Sequence, residues 1–338
     1  MRDRFPFVVL LAFLSFPAVA VDYAAYGKVA ASVVRVVAKV PNSNSTSFGS
    51  GVVLPDGRVV TNCHVIPGTG RVVVMEGALG TEVERGPGDP VADLCVLQSI
   101  ALTAPRAQTA AAHTLEVGDE VVAIGFGGGA GRNISSGRVT ALYPYRNGRV
   151  IQTTAAFRQG ASGGGLFDRH GNLVGITTFF RRNGAESAFF AIPVEWVDGL
   201  TATAGIQPDP NPFWMRVQGD QPLFLQVASY EADGKWTEMA AAARLWTREE
   251  PDQAQSWEAL SRALMALGDL MEGGTARLRA QHATQSSVSP GEQPETKRTA
   301  SRSFSFVRNR FLPRARRIRA LCPSSPWRAD CGDRRRAR

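Results

Sequence analysis

One short stretch of the sequence has the composition of a catalytic loop. In RQGASGGGLFD, residues 158–168, Ser162 lies two positions from a glycine on each side, Gly160 and Gly164. This spacing occurs in two unrelated hydrolytic designs. In the first, a strand-to-helix elbow lifts the serine above a parallel sheet, with its acid and histidine downstream. In the second, a glycine-rich loop carries the serine and supplies backbone N–H groups that stabilise an oxyanion.

The sequence after Ser162 disfavours the elbow. Gly163-Gly164-Gly165 is a poor start for a helix. The following stretch, LFDRHGNLVGITTF, indicates a β-hairpin with its turn at His170-Gly171-Asn172. The histidines downstream of Ser162 are His170, in that turn, and His282, in the predicted disordered tail. The second design is therefore favoured.

The residues that the second design needs lie upstream. His64 ends the run TNCH, and Asp93 opens the run DLCVL. A serine hydroxyl is a poor nucleophile near neutral pH, so a histidine must take its proton and return it to the leaving amine, while a carboxylate holds the imidazole tautomer. We therefore predict a triad of His64, Asp93 and Ser162, in that chain order. The predicted oxyanion hole is formed by the N–H groups of Gly160 and Ser162.

The elements around these residues are short β-branched runs separated by turn signals. Period-two patterning in runs this short is typical of an antiparallel barrel or sandwich. Two consecutive sets of about six strands predict two packed barrels, at about 26–100 and about 115–198, with a connector at 101–114. No helix of useful length is expected before Pro193.

Three segments carry a family resemblance. SGVVLPDGRVVTNCHVI, ADLCVLQ and QTTAAFRQGASGGGLFD resemble segments of trypsin-like serine peptidases, especially the bacterial Deg/HtrA-type group. The resemblance implies a mainly β, chymotrypsin-like fold of two six-stranded antiparallel barrels in a peptidase domain at 21–203. It also implies a serine endopeptidase that cleaves proteins or peptides through an acyl-enzyme, with no metal or organic cofactor. Gln159, Ala161 and Gly165 depart from the residues common around the serine in this group.

The same resemblance assigns a substrate pocket. Its base lies six residues before the serine, at Ala156, next to Phe157, and its wall strand is at Thr177, Thr178 and Phe179. Since no carboxylate lies at the base, the resemblance implies a preference for small or medium apolar P1 side chains over Arg or Lys. A second interpretation, in which Phe157 and Phe179 are core residues, stays open.

The N-terminus has the pattern of a secretory signal at residues 1–20. Basic Arg2 and Arg4 precede an apolar run, and a small-x-small ending at Ala18-Val19-Ala20 predicts cleavage after Ala20. The alternative of a membrane anchor is weaker because the run is too short to span a bilayer. We therefore expect export to the bacterial periplasm or the medium.

The chain has four cysteines, which in an exported protein are more often paired than free. Cys63 and Cys95 flank the predicted catalytic histidine and aspartate, whose strands must lie close together. A disulfide between them is predicted, with two buried free thiols as the alternative. The pairing of Cys322 and Cys331 is left open.

After Thr203 the composition becomes helical, and residues 204–280 are predicted to form an α-helical segment. A pattern recurs after thirty-four residues, the tetratricopeptide period: Leu223, Tyr230, Ala232 and Gly234 return as Trp257, Leu264, Ala266 and Gly268. A plain amphipathic hairpin is the alternative. The helices are expected to pack against the barrels or a protein partner.

Residues 281–338 form a basic, low-complexity tail that is predicted to be disordered. Fourteen Lys or Arg and four Asp or Glu fall between His282 and Arg338, a balance of +10, so the chain's net charge of +8 leaves about −2 elsewhere. No nucleic-acid partner is expected for the folded part. A solvated tail, a tail that touches anionic surfaces and a shifted reading frame are the open alternatives.

The competing function is a catalytically weak, peptide-binding barrel pair whose helical segment docks a partner.

Overall fold

The computed structural model describes residues 23–68, 70–99, 101–128, 131–183, 186–200 and 211–287. The predicted signal peptide, Cys322, Cys331 and the tail beyond Ser287 lie outside these ranges. Among the described helices, none combines the length and the apolar character that a bilayer crossing requires.

The first six strands close into an antiparallel barrel in the order β1-β2-β3-β6-β5-β4. Their bounds are β1 Val33–Lys39, β2 Thr46–Val53, β3 Val59–Thr61, β4 Val72–Glu76, β5 Leu79–Asp89 and β6 Leu94–Gln98. Alternating β-branched residues face inward, so that Val34, Val36 and Val74 are fully buried. This is the first barrel that the period-two pattern predicts.

The second barrel repeats the same topology, in the order β10-β11-β12-β9-β8-β7. Its strands are β7 Glu120–Gly125, β8 Asn133–Tyr145, β9 Gly148–Thr153, β10 Gly165–Asp168, β11 Leu173–Asn183 and β12 Glu186–Pro193. β10 and β11 form the hairpin expected directly after the serine loop, where an elbow would need a helix. The prediction of two six-stranded antiparallel barrels is confirmed.

A helix precedes the first barrel, so the expectation of no helix before Pro193 is wrong. Helix α1 covers Tyr23–Ala30. Its Tyr26 is buried, and the Tyr26 hydroxyl donates a hydrogen bond to the Asp168 carbonyl oxygen over 3.0 Å. Two helical turns give too short a pattern to recognise, and the contact that holds this helix comes from residues far along the chain.

Four α-helices follow the barrels in the part of the chain that the structure describes. They are α2 Leu223–Ala232, α3 Trp236–Glu249, α4 Ala254–Ala266 and α5 Leu270–Ser287. Gly234 and Gly268 both have positive φ, +65° and +87°, at the turns that join α2 to α3 and α4 to α5. Membership of the tetratricopeptide family stays a prediction, since two helix pairs are also what a plain helical hairpin array would give.

The helices pack on the second barrel through aromatic side chains. The ring of Phe224 on α2 stacks on Tyr143 of β8, with ring centroids 5.0 Å apart. Phe224 also lies against Tyr145 and Phe213. The helical segment is therefore joined to the barrel that carries the serine.

Helix α5 continues to Ser287, beyond the boundary predicted at residue 280. Its buried positions include the small side chains of Ala276 and Ala280, and its Gly273 carbonyl accepts a hydrogen bond from Ser261 of α4. Contact through alanine and glycine leaves no period of large apolar residues, which is why the sequence did not indicate how far this helix extends.

Candidate active site

His64 and Asp93 meet where two paired strands of the first barrel end. His64 lies in a short 3-10 turn directly after β3, and Asp93 directly precedes β6, which pairs with β3. The His64 Nδ1 is 2.6 Å from Asp93 Oδ2, and the His64 backbone N–H donates to Asp93 Oδ1 over 2.9 Å. Because a carboxylate only accepts hydrogen bonds, this contact fixes the Nδ1–H tautomer and leaves Nε2 as the acceptor.

The backbone of Asp93 adopts a left-handed conformation, with φ of +59°. Aspartate tolerates this region better than most residues, but the conformation carries some strain. The Asp93 side chain is only 1% exposed, and its neighbour Asn62 donates from Nδ2 to the Asp93 carbonyl oxygen over 2.8 Å. Strain that is held by buried contacts is typical of functional positions.

A disulfide joins Cys63 and Cys95, with their Cα atoms 5.0 Å apart. Cys63 immediately precedes His64, and Cys95 follows Asp93 by two residues. The covalent bond therefore ties together the two chain segments that carry the histidine and the aspartate.

Ser162 lies on the loop between β9 and β10, and Gly49 of β2 lies against both the Ser162 carbonyl oxygen and Val65 of the His64 turn. Its Oγ donates to the Thr178 carbonyl oxygen over 3.2 Å. The Thr178 hydroxyl in turn accepts a hydrogen bond from Asn62 Nδ2 over 3.1 Å. The chain Ser162–Thr178–Asn62 thus connects the serine of the second barrel to the residue two positions before His64.

One residue of the first barrel, Ser50, supports the serine loop through hydrogen bonds. Ser50 of β2 donates from Oγ to the Gly160 carbonyl oxygen over 2.9 Å and from its N–H to the Ser162 carbonyl oxygen over 2.8 Å. Ser50 Oγ also accepts from the Phe126 N–H over 2.8 Å. The loop conformation is therefore held from the opposite barrel.

The peptide between Gln159 and Gly160 is oriented by its carbonyl. The Gln159 oxygen accepts from the Gly128 N–H over 2.9 Å, so the Gly160 N–H on the other side of the same peptide plane points away from Gly128. Within the ranges that the structure describes, the N–H groups of Gly160 and Ser162 donate to no protein acceptor. Gly160 has φ of +94°, which requires glycine here.

A cavity of about 440 Å³ lies under the serine loop. Of the five predicted pocket residues, Ala156, Phe157 and Thr177 line it, together with Arg158, which the sequence had not suggested. Thr178 and Phe179 do not line it; both are buried, and Phe179 stacks on Phe190 with ring centroids 4.7 Å apart. Phe179 is thus a core residue, the second of the two interpretations, while Phe157 is half-buried at the cavity.

Trp214 is the residue near the site that sequence reasoning missed most completely. Its Nε1–H donates to Asp93 Oδ2 over 3.2 Å, although 121 positions separate the two residues. Asn62 was missed as well, although its place in TNCH, two residues before His64, is a local signal. Trp214 follows the helical composition change and has no such signal.

Comparison with known proteins gives the context of this geometry. The sequence profile of the trypsin-like peptidase domain matches residues 49–176. A probable periplasmic serine endoprotease, DegP-like, of Pseudomonas savastanoi pv. phaseolicola is 34% identical over 162 residues, covering 44% of this chain and 33% of that protein. A protein of the same description from Brucella suis is 36% identical over 200 residues, covering 54% and 37%.

A solved structure shares the fold. The Rv3671c protease from M. tuberculosis in its active form superposes with a TM-score of 0.50 at 24% identity, and the alignment covers 61% of this chain and 96% of that one. At this identity the likeness concerns the fold alone. The chain spans between about a third and two fifths of the length of the two DegP-like relatives. Residues 49–176 are thus similar to a trypsin-like peptidase domain, and the relatives named above are of the HtrA/Deg type.

Proposed function

We propose that this protein is a serine endopeptidase in which Ser162, His64 and Asp93 form the catalytic triad. The observation that carries the proposal is the 2.6 Å contact between His64 Nδ1 and Asp93 Oδ2, next to a glycine-rich loop that holds the serine. An imidazole oriented by a buried carboxylate is the base that a serine nucleophile needs.

In the first step, Ser162 Oγ bonds to the carbonyl carbon of the substrate while His64 Nε2 takes the hydroxyl proton. The resulting tetrahedral oxyanion collapses when the bond to the amine breaks, and the imidazolium gives its proton to that amine. Water then repeats the sequence on the acyl-enzyme and releases the acid. Asp93 stabilises the imidazolium without taking its proton.

The oxyanion accepts hydrogen bonds from the N–H groups of Gly160 and Ser162. Two features support this role: neither N–H is used by another group in the described part of the chain, and the Gln159 carbonyl is held away by Gly128. Losing one such donor typically costs a factor of about 100 to 1,000 in rate.

The proposed P1 preference is for small or medium apolar side chains. The cavity beside Ala156 and Phe157 supports it, because none of the described residues that line the cavity has a carboxylate to pair with a basic side chain. Arg158 lies at the same cavity, and its positive charge opposes entry of Lys or Arg.

We further propose that the protein is exported, with residues 1–20 as its signal, and that it acts on proteins or peptides. The periplasmic description of the DegP-like relatives supports this location. The helical segment, whose helices run from Leu223 to Ser287, is a proposed docking site for a protein partner. The basic composition of the tail supports a further proposal, contact with anionic surfaces.

A fluorophosphonate probe tests the activity directly. The probe forms a covalent bond from phosphorus to an activated serine oxygen and loses fluoride. We expect the purified mature protein to become labelled at Ser162 and to cleave an unfolded protein substrate, while Ser162→Ala does neither. Absence of both labelling and cleavage in the intact protein would refute the proposal.

A second candidate function is a catalytically weak, peptide-binding module. One observation favours it: the Ser162 hydroxyl donates to the Thr178 carbonyl oxygen instead of to His64. Catalytic hydrogen bonds often form only when substrate binds, so this geometry is also compatible with catalysis. A protein that binds peptides without labelling at Ser162 would support the module.

A further inference from the structure

We propose that Trp214 is a positioning residue for the Asp93–His64 pair, supplied by the segment that leads from the barrels into the helices. This inference rests on the proposed function, because it concerns the same catalytic pair. Trp214 lies between β12 and α2, outside both barrels, yet its indole enters the site.

The indole N–H and the imidazole N–H share one acceptor. Asp93 Oδ2 is 3.2 Å from Trp214 Nε1 and 2.6 Å from His64 Nδ1, while Oδ1 accepts from the His64 backbone N–H. Both carboxylate oxygens thus accept from groups in fixed positions. A second donor on Oδ2 keeps the carboxylate from rotating about its Cβ–Cγ bond, and so keeps the oxygen in line with His64.

The indole ring also contacts the imidazole directly. The edge-to-face arrangement of Trp214 and His64 has ring centroids 5.6 Å apart and an interplanar angle of 73°. On its other side the indole stacks on Phe179 of β11, with centroids 5.0 Å apart and planes 5° from parallel. Phe179 is buried in the second barrel and therefore holds the indole ring in place. The indole in turn restricts the position of His64, which belongs to the first barrel.

Two side chains hold the main chain at Trp214. Its carbonyl oxygen accepts from Arg181 Nη2 over 2.6 Å and from Gln221 Nε2 over 3.2 Å. Burial lowers the pKa of Arg181, but an arginine keeps its charge at neutral pH, so the bond from Arg181 remains charge-assisted.

The neighbouring Phe213 extends this anchor to the helices. Phe213 is fully buried, its N–H donates to the Val91 carbonyl oxygen over 3.0 Å, and its ring lies 6.3 Å from Phe224 of α2. The main chain that carries the indole is therefore fixed by contacts that reach the helical segment.

The test compares Trp214→Phe with a matched control, Trp257→Phe. Phenylalanine keeps an aromatic ring for stacking and removes the indole donor. Trp257 lies on α4 and donates its own indole N–H to the Pro251 carbonyl oxygen over 2.7 Å, so the control also loses an indole hydrogen bond, but one to a neutral acceptor that is not part of the Asp93–His64 pair. We expect kcat for a peptide substrate to fall about 10-fold in Trp214→Phe, the effect of one hydrogen bond to a charged group, with KM unchanged. Trp257→Phe should match the wild type.

A spectroscopic readout separates this inference from the proposed function. The proton between His64 Nδ1 and Asp93 Oδ2 lies in a short, charge-assisted hydrogen bond and should resonate far downfield in proton NMR. We expect that resonance to move in Trp214→Phe and to stay in place in Trp257→Phe. A wild-type protein without turnover would refute the proposed function but would leave this comparison intact. Wild-type kcat together with an unmoved resonance in Trp214→Phe would overturn the role of Trp214.

The hydrogen bond from Trp214 to Asp93 can also be detected through the indole N–H signal of Trp214. This measurement does not require the Trp214→Phe variant to fold. The chain has six tryptophans, so protein labelled with nitrogen-15 tryptophan gives six indole N–H signals. In Asp93→Asn the acceptor changes from a carboxylate to a neutral amide. We expect one indole signal to move clearly in this variant; six unmoved signals would contradict the inference.

Discussion

The Ser162 hydroxyl donates a 3.2 Å hydrogen bond to the Thr178 carbonyl oxygen, which holds the proposed nucleophile against strand β11. The bond is local and neutral, so its loss costs the fold about 1 kcal/mol. Its presence means that the hydroxyl must turn toward His64 before it can attack.

Ser162→Ala should therefore separate chemistry from folding. We expect peptide cleavage to fall on the order of 10⁶-fold, because the nucleophile is removed. The free energy of unfolding, measured by urea denaturation, should change by only about 1 kcal/mol. Residual cleavage near the wild-type rate would mean that another group is the nucleophile.

Removal of the disulfide should lower stability strongly. The bridge spans a sequence separation of 32 residues, and the chain-entropy model gives about 3 to 4 kcal/mol for a loop of this length. We expect the double variant Cys63→Ala, Cys95→Ala to lose that much free energy of unfolding in urea. Treatment of the wild type with a reductant is the control and should give a similar loss; free thiols mapped to both Cys63 and Cys95 in the untreated wild type would contradict the bond.

Gly163→Ala should damage the serine loop. Gly163 has φ of +86°, and an added Cβ would press on the Ser50 carbonyl oxygen and the Thr61 hydroxyl. We expect labelling by the fluorophosphonate to slow by at least about 100-fold, comparable to the loss of an oxyanion donor.

Gly118→Ala provides the matched control for that variant. Gly118 has φ of +101°, but nothing lies within 4 Å of an added Cβ. It therefore imposes similar backbone strain without crowding. Equal labelling rates in the two variants would show that contact with Ser50 is unimportant for the loop.

Arg158→Glu should change the P1 preference. Arg158 lines the cavity beside Ala156, and reversing its charge converts repulsion of a basic side chain into attraction. We expect kcat/KM for a Lys P1 peptide, relative to a Leu P1 peptide, to rise about 10-fold.

The uncharged variant Arg158→Gln controls for the loss of the guanidinium and should give a smaller rise. Measurement of both ratios on paired peptides decides the point. If neither variant changes the ratio, the cavity does not receive the P1 side chain.

The barrels were predictable from sequence because their signals are local. Short β-branched runs with turns between them indicate antiparallel strands wherever they occur, and β10–β11 followed the serine loop as its pattern predicted. The residue types and order of His64, Asp93 and Ser162 also suffice to propose a triad, since each lies in a distinctive short motif.

The parts that escaped prediction depend on contacts between distant residues. Helix α1 is held by the hydrogen bond from Tyr26 to Asp168, and Trp214 donates a hydrogen bond to Asp93, which is 121 positions away in the sequence. No periodicity encodes such pairs. Phe179 illustrates the same limit, because whether an aromatic residue on β11 faces the cavity or the core depends on the bulge between Thr177 and Phe179.

The bracing of the serine loop by Ser50 has a consequence for how such proteins can be recombined. Ser50 belongs to the first barrel, yet it contacts Phe126, Gly160 and Ser162 of the second. A chimera that joins this second barrel to a foreign first barrel would inherit the serine but lose the support of its loop. The second barrel is therefore not a portable catalytic unit, and exchange of barrels between relatives must carry a matching residue at the position of Ser50.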